Sequence, residues 1–362
     1  MGLIRLATAS PGTQPTTAST LELLRTVAQQ AASQGADLLL LPEAFLGGYP
    51  RGSGFGSVVG SRSAEGRDEF ARYFEAAVDL GDTAGPGGAG AGDEWIRREL
   101  PSQNVSGNSD VPRGDGTREY LESVARDTGV FIVTGCVEKA GGSLYCAAVY
   151  VCPTKGIIGK RRKVMPTGTE RLIWAQASPA TLRAVSTTIK GVRVNMAAAI
   201  CWESYMPLLR QALYAQNINL YLAPTADARD AWLGLMRTVA IEGRCFVVSS
   251  NMAVRDTTSA SIIAAAAEQQ EEGHQVNGTA APKVPASSSS SWICRGGSSI
   301  VDPMGEVLAG PQWEDEHSLI YADVDLRDCI KGRLDFDVAG SYSRSDSFKF
   351  SVEGLNLDPL PY

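Results

Sequence analysis

Short apolar runs alternate with amphipathic stretches along most of the chain. "LIRLATA" predicts a strand. "STLELLRTVAQQAASQG" follows, with Leu24, Val27, Ala28 and Ala31 at helical spacing, Ser19 and Glu22 as a capping-box pair, and Gly35 as the stop. "ADLLLLPEAF" is apolar at successive positions, the pattern of a strand buried on both faces; Pro42 ends it and Glu43 lies just beyond. Residues 47–118 are less regular, apart from a helix predicted in "GRDEFARYFEAAVDL". "TREYLESVARDTG" then predicts a helix, and "VFIVTGCVE" a strand with Glu138 at its end. "SLYCAAVYVC", "GIIGKRRKV", "ATLRAVSTTI" and "VRVNMAAAIC" predict four more strands, and "MPLLRQALYAQN" a helix with Pro207 in its first turn, where proline is tolerated. "INLYLAP", "DAWLGLMRTVAIEGR" and "CFVVSSN" continue as strand, helix and strand. A hairpin in "GGSSIVDPMGEVLAG" and a last strand in "SLIYADVDL" close the pattern. Such alternation predicts an α/β domain. It does not distinguish one wound sheet from two stacked sheets.

Composition breaks the pattern twice. "GDTAGPGGAGAGDEW" is glycine-rich, but no buried strand precedes it and no Lys-Ser/Thr follows, so it does not read as a phosphate cradle. Residues 256–291 are a Ser/Ala/Pro-rich, low-complexity insertion that can bury little. The expected organisation is one domain over residues 1–328 carrying that insertion, with 329–362 as a C-terminal extension that makes oligomer contacts.

Charge and cysteine usage narrow the function classes. With 33 basic and 40 acidic residues the formal net charge is −7, so a nucleic-acid partner and an anionic membrane surface are not expected. No apolar run reaches the length of a membrane span, and "MGLIRLATASPGT" lacks the long apolar core of a secretory signal, which points to the cytosol. Seven widely spaced cysteines without a CxxC suggest neither a disulfide framework nor a zinc site.

The candidate chemistry lies where strands end, which is where α/β proteins place their sites. Glu43, Glu138 and Cys201 are at such positions. Cys201 stands between a strand and a helix, where backbone N–H groups can face negative charge and favour thiolate. A thiol needs a base or a lowered pKa to attack at neutral pH. Only His274 and His317 exist, one inside the insertion and one in a polar turn, so a Cys–His pair and a His-rich metal site are set aside. What remains is a carboxylate base and a cation from the run Lys160, Arg161, Arg162, Lys163. Consecutive strand residues alternate in direction, so some of these can point inward while others point out; the run alone does not say which.

"LLLLPEAFLGGYP", "GKRRKVMPTGTERLIW" and "AAICWESYMPLLRQALY", in that order, resemble the nitrilase branch of the carbon–nitrogen hydrolase superfamily. The likeness continues through "APTADARDAW", "IEGRCFVVSSN", "GGSSIVDPMGEVLAGP" and "DFDVAGSYSR". It implies a four-layer α-β-β-α sandwich with Cys201 as nucleophile, Glu43 as general base, Lys163 as the cation and Glu138 as a second glutamate. Glu170 and Glu203 would support the site structurally. Tyr49, Trp174 and Trp202 would line an apolar substrate pocket. The implied substrate is a small organic nitrile, with no cofactor and no metal, in a homodimer that builds a larger or spiral homo-oligomer through the helix after Cys201. Amide-hydrolysing or amide-forming relatives and a non-catalytic scaffold are the rival readings.

Overall fold

A computed structural model of the chain describes residues 2–82, 84, 95, 96, 114–256 and 292–362. The 256–291 insertion, Asp256 apart, and most of the glycine-rich loop lie outside the described residues.

The first half builds one sheet. β1 (Ile4–Ala9), helix α1 (Thr17–Ser33) and β2 (Leu38–Leu40) form a parallel unit. A small hairpin, β3 (Ser57–Val58) and β4 (Ser61–Arg62), precedes α2 (Ala64–Ala76). Helix α3 (Thr117–Thr128) leads into the long strands β5 (Phe131–Ala140), β6 (Ser143–Cys152) and β7 (Gly156–Arg162). The second half builds another sheet from β8 (Val185–Ile189), β9 (Val192–Ala198), β10 (Leu220–Thr225), β11 (Phe246–Asn251), β12 (Ala253–Arg255), β13 (Trp292–Val301) and β14 (Val307–Trp313). Helices α4 (Pro207–Tyr214) and α5 (Ala231–Gly243) belong to this half. β15 (Leu319–Val324) returns to pair antiparallel with β1, and α6 (Arg327–Gly332) follows.

The strand order is β15-β1-β2-β5-β6-β7 in one sheet and β12-β13-β11-β10-β9-β8 in the other, with β14 on β13. Each sheet holds a parallel trio, β1-β2-β5 and β9-β10-β11, and Glu43 follows β2 and Cys201 follows β9 at their C-terminal ends.

Side-chain alternation explains the layers. Leu38 and Leu40 face the second sheet and pack with Met196, Ala198, Leu220, Leu222 and Phe246. Leu39 and Leu41 face the other way, against Leu24, Val27 and Ala28 of α1 and Leu121 and Val124 of α3. On the second sheet Ala197, Tyr221, Ala223 and Val247 pack outward against Leu209 and Leu213 of α4 and Trp232 and Met236 of α5. Helix, sheet, sheet, helix is therefore the layer order. It resolves the ambiguity of the apolar runs in favour of two stacked sheets, because strands apolar on both faces need a layer on each side.

Local signals held with one shift. α1 starts three residues earlier than the Ser19–Glu22 pair suggests: Thr16 is the N-cap, its hydroxyl accepting from Ser19 N at 3.1 Å while Ser19 Oγ accepts from Thr16 N at 3.2 Å. Two hydroxyls close the box here, so the glutamate three residues on is not needed. Pro207 is the first residue of α4, as expected. The extension beyond 333 lies on the second helical layer, where Phe350, Val352, Leu355, Leu357 and Leu360 are partly buried.

Candidate active site

Three loops converge on Cys201. The first follows β2. Its turn lies against β5 at Gly135, whose N–H donates to Pro42 O at 3.1 Å. A Cβ on Gly135 would stand 2.2 Å from Pro42 O and 2.7 Å from Glu43 Cα, so only glycine admits this approach. The turn delivers Glu43, 1% exposed, into the space between the sheets.

The second loop extends β7. Lys163 N donates to Cys146 O at 2.7 Å, continuing the pairing with β6 by one residue. Its ammonium reaches Glu43 Oε1 at 2.7 Å and Glu170 Oε2 at 2.8 Å. Glu170 belongs to a 3₁₀ turn, Gly168–Leu172, and its two oxygens are fixed by Thr167 N at 2.7 Å and the Tyr49 hydroxyl at 2.9 Å.

The third loop carries Cys201 itself. Its φ is +55°, a left-handed conformation that is strained for a residue with a side chain. Glu203, fully buried, holds the turn: it accepts from Ile200 N at 2.9 Å, from Val164 N at 2.8 Å, from Met165 N at 3.2 Å and from Arg161 at 2.5 Å. One carboxylate thus ties the cysteine turn to the Lys163 loop. Thr225, at the end of β10, donates its hydroxyl to Cys201 Sγ at 3.1 Å, and the Ala226 N–H also reaches the sulfur.

The electrostatics follow from burial. Burial raises the Glu43 pKa, and the neighbouring Glu170 charge adds to this against the pull of Lys163. Burial also pushes the Cys201 thiol up, with the Glu43 charge acting the same way. Lys163 is held well above its ordinary range: burial opposes its charge, but Glu43 and its other anionic neighbours outweigh that. The resting pair is thus a protonated thiol beside a carboxylate of raised proton affinity. Glu43 Oε1 takes Lys163 and a long contact, 3.6 Å, from the Cys146 thiol; Oε2 has no N–H or O–H donor among the described residues, and the Cys201 thiol is close enough to hydrogen-bond the carboxylate. A buried carboxylate oxygen without such a donor is costly; here it is the lone pair available to take a proton from sulfur or water.

Glu138 must be reassigned. The structure does not bring it to Cys201. It lies inside the ten-residue strand β5, on the face opposite Val137, and pairs with Lys160 and Arg162 in the outer layer. Lys160 Nζ also stands 4.2 Å from the centre of the Trp95 ring, part of the outer core. Lys160 and Arg162 hold this carboxyl below the ordinary carboxylate range despite its burial. The glutamate that does meet Lys163 is Glu170. The resemblance implied a supporting role for Glu170, but nothing in the sequence shows that it contacts Lys163, seven residues earlier.

A cavity of about 400 Å³ opens onto Cys201, lined by Tyr49, Glu170, Trp202, Thr167 and two arginines, Arg51 and Arg229. Tyr49 and Trp202 line it as expected, but the lining is mixed rather than apolar. Trp174 is not among the lining residues. It is buried behind them, edge-on to Tyr49 at 5.6 Å, with Lys163 Nζ 5.5 Å from its ring and its indole N–H on the Tyr73 hydroxyl at 3.2 Å. The Trp202 indole N–H donates to Asp227 at 2.9 Å, and Asp227 pairs with Arg229.

Comparison with known proteins agrees with this picture. The sequence profile described as carbon-nitrogen hydrolase matches residues 3–333. A nitrilase of Bradyrhizobium diazoefficiens is 38% identical over 326 residues, 90% of this chain and 84% of that one. An arylacetonitrilase of Trametes versicolor is 39% identical over 345 residues, 93% of this chain and 92% of that one. Among solved structures, a CN-hydrolase superfamily protein of Xanthomonas campestris superposes with a TM-score of 0.60 at 16% identity, covering 97% of this chain and all of that one, which speaks for the fold alone. The chain belongs to the carbon–nitrogen hydrolase family, on its nitrilase branch.

Proposed function

We propose that the protein hydrolyses an organic nitrile to the carboxylic acid and ammonia, with Cys201 as nucleophile. The observation that carries this reading is the Glu43 carboxylate within hydrogen-bond reach of a strained, buried Cys201 thiol, with Lys163 held charged between two carboxylates.

Glu43 takes the Cys201 proton as sulfur attacks the nitrile carbon, and returns it to nitrogen, giving a thioimidate. Water activated by Glu43 adds to the C=N carbon. Lys163 and the backbone around Trp202 stabilise the tetrahedral species, as an oxyanion hole does. Nitrogen leaves as ammonia and an acyl thioester remains; a second water cleaves it to the acid and restores the thiol. One nitrile and two waters become one acid and one ammonia. Expulsion of sulfur before nitrogen instead yields the amide. Glu170 keeps Lys163 and Tyr49 in register in place of the Glu138 first expected.

The reading includes a cytosolic protein that pairs with a second copy and extends into a larger or spiral homo-oligomer. Support for the pairing surface comes from Tyr205, 39% exposed, and Leu208, 71% exposed, on the segment after Cys201. The extension from 329 adds to those contacts.

The test is product analysis on a panel of aliphatic, aromatic and arylacetonitriles. Acid plus ammonia in equal amounts supports the reading, with all turnover gone in Cys201→Ala. Turnover that survives in that variant, or hydrolysis of amides only, would overturn it.

A further inference from the structure

Four charged residues line the reactive cavity with Cys201, namely Arg51, Glu170, Asp227 and Arg229, and their pairing is uneven. Glu43 and Glu170 share Lys163. Asp227 pairs with Arg229. Arg51 has no acidic partner among the described residues, yet it lines the cavity together with Cys201. Its position is fixed without neutralising it. Nη2 donates to Ala226 O at 2.7 Å, and the guanidinium carbon stands 5.3 Å from the Tyr49 ring centre. Ala226 is the residue whose N–H reaches Cys201 Sγ. A single peptide residue therefore separates the free cation from the nucleophile.

A guanidinium carries five N–H donors in a planar fork, matched to the two oxygens of a carboxylate. One donor here is spent on a backbone carbonyl, and no other bond of the Arg51 side chain to a described residue accounts for the rest. Arg51 is exposed at the cavity rim, where water solvates it in the free protein, and an apolar nitrile would make no use of it. An anionic one would give Arg51 the acidic partner it lacks among the described residues. From this we infer that Arg51 is a specificity-determining residue that anchors the anionic group of the substrate, so that the preferred nitriles carry a carboxylate a few bonds from the C≡N. The inference rests on the nitrile reading of the site and adds the substrate class to it.

The experiment compares 3-cyanopropanoate with 4-methylpentanenitrile, in which an isopropyl group replaces the carboxylate at equal size. The intact protein should favour the anion in kcat/KM by about tenfold or more, since a site built for a polar group discriminates against its absence. In Arg51→Gln the ratio of the two kcat/KM values should fall at least tenfold, mostly through KM for the anion, and Arg51→Lys should restore part of it. An equal loss on both nitriles would make Arg51 a mere prop for Ala226 and overturn the inference, as would an unchanged ratio. Calorimetric binding of 3-cyanopropanoate to Cys201→Ala, with and without Arg51→Gln, separates the two readings. Arg51-dependent binding without turnover of any nitrile by the intact protein would sink the nitrilase reading and leave the anchor standing. Turnover of nitriles with no Arg51-dependent binding would do the reverse.

Discussion

β7 and the residue after it set four cations in a row and send them to two different fates. Lys160 and Arg162 face outward, where both oxygens of Glu138 accept from them and Asp82 accepts from Lys160 at 2.9 Å and Arg162 at 3.3 Å. Arg161 and Lys163 face inward. Arg161 serves Glu203, and Lys163 serves Glu43 and Glu170. The outer network satisfies both oxygens of its central carboxylate. The inner one leaves Glu43 Oε2 without a cation or backbone donor among the described residues. The lesson is that a buried ion pair is structural when its oxygens are all accounted for, and chemically available when one is not. Position at a strand end does not separate the two cases; the destination of each oxygen does.

That contrast can be broken from either side. The largest expected effect is on the inner face: Glu43→Gln should lower kcat by about 10³-fold or more, the range lost when a general base is removed, while the protein stays folded by circular dichroism. Glu138→Gln should do the opposite. Removing one member of a buried charge network costs about 3–5 kcal/mol, so urea unfolding should shift strongly while the folded fraction keeps its kcat. A Glu138→Gln protein that is stable but inactive would return Glu138 to the chemistry.

Acidification sharpens the comparison, because the two carboxyls are shifted in opposite directions. Glu138 has a lowered folded-state pKa. Its stabilisation is complete above the unfolded value of about 4.3 and is lost as pH falls through the folded value, so the stability gap between wild type and Glu138→Gln narrows in acid. Glu43 has a raised folded-state pKa. Burying its charge costs stability progressively as pH rises from the unfolded value of about 4.3 to the folded value, and in full above it, so Glu43→Gln should be at least as stable as wild type at pH 7, and that advantage should vanish in acid. Denaturant titrations at about pH 3, 4, 5.5 and 7, spanning both sides of the unfolded carboxyl value, would read both trends, and trends of the same sign would refute the assignment.

Smaller effects test the supports. Glu170→Gln should reduce kcat by about 10²-fold, with Cys201 still alkylated by iodoacetamide, since the thiol and its base remain. Cys146→Ala should be the mildest. Loss of a weak donor to Glu43 Oε1 removes a contact that favours the charged form, so the acid limb of the kcat/KM profile should move to higher pH by less than about one unit. An unmoved limb would mean the 3.6 Å contact has no influence on the base.

Much of this was legible in the chain. Glu43 and Cys201 were found from strand ends and the scarcity of histidine, and the alternation of the basic run was expected from strand geometry. The face on which Glu138 falls was not legible. β5 is buried on both sides, so its sequence carries no polar–apolar alternation to say which parity looks inward. Glu170 was reached only through the family resemblance, for a different reason: a 3₁₀ turn folds it back onto Lys163, and short turns leave no periodic trace. Arg51 lies in a glycine-rich stretch and shows its interest only once every neighbouring charge has been matched.

Gly135 touches neither the cavity nor any reacting group, yet the turn bearing Glu43 lies directly on its bare Cα. For an engineer randomising this protein to change what it accepts, that makes position 135 a silent member of the active centre. Libraries built from the cavity lining alone would leave it out, and libraries built from exposure would class it as ordinary core. Any side chain there would move the base before it changed the selectivity, so a fixed glycine codon at 135 is a precondition for reading every other substitution.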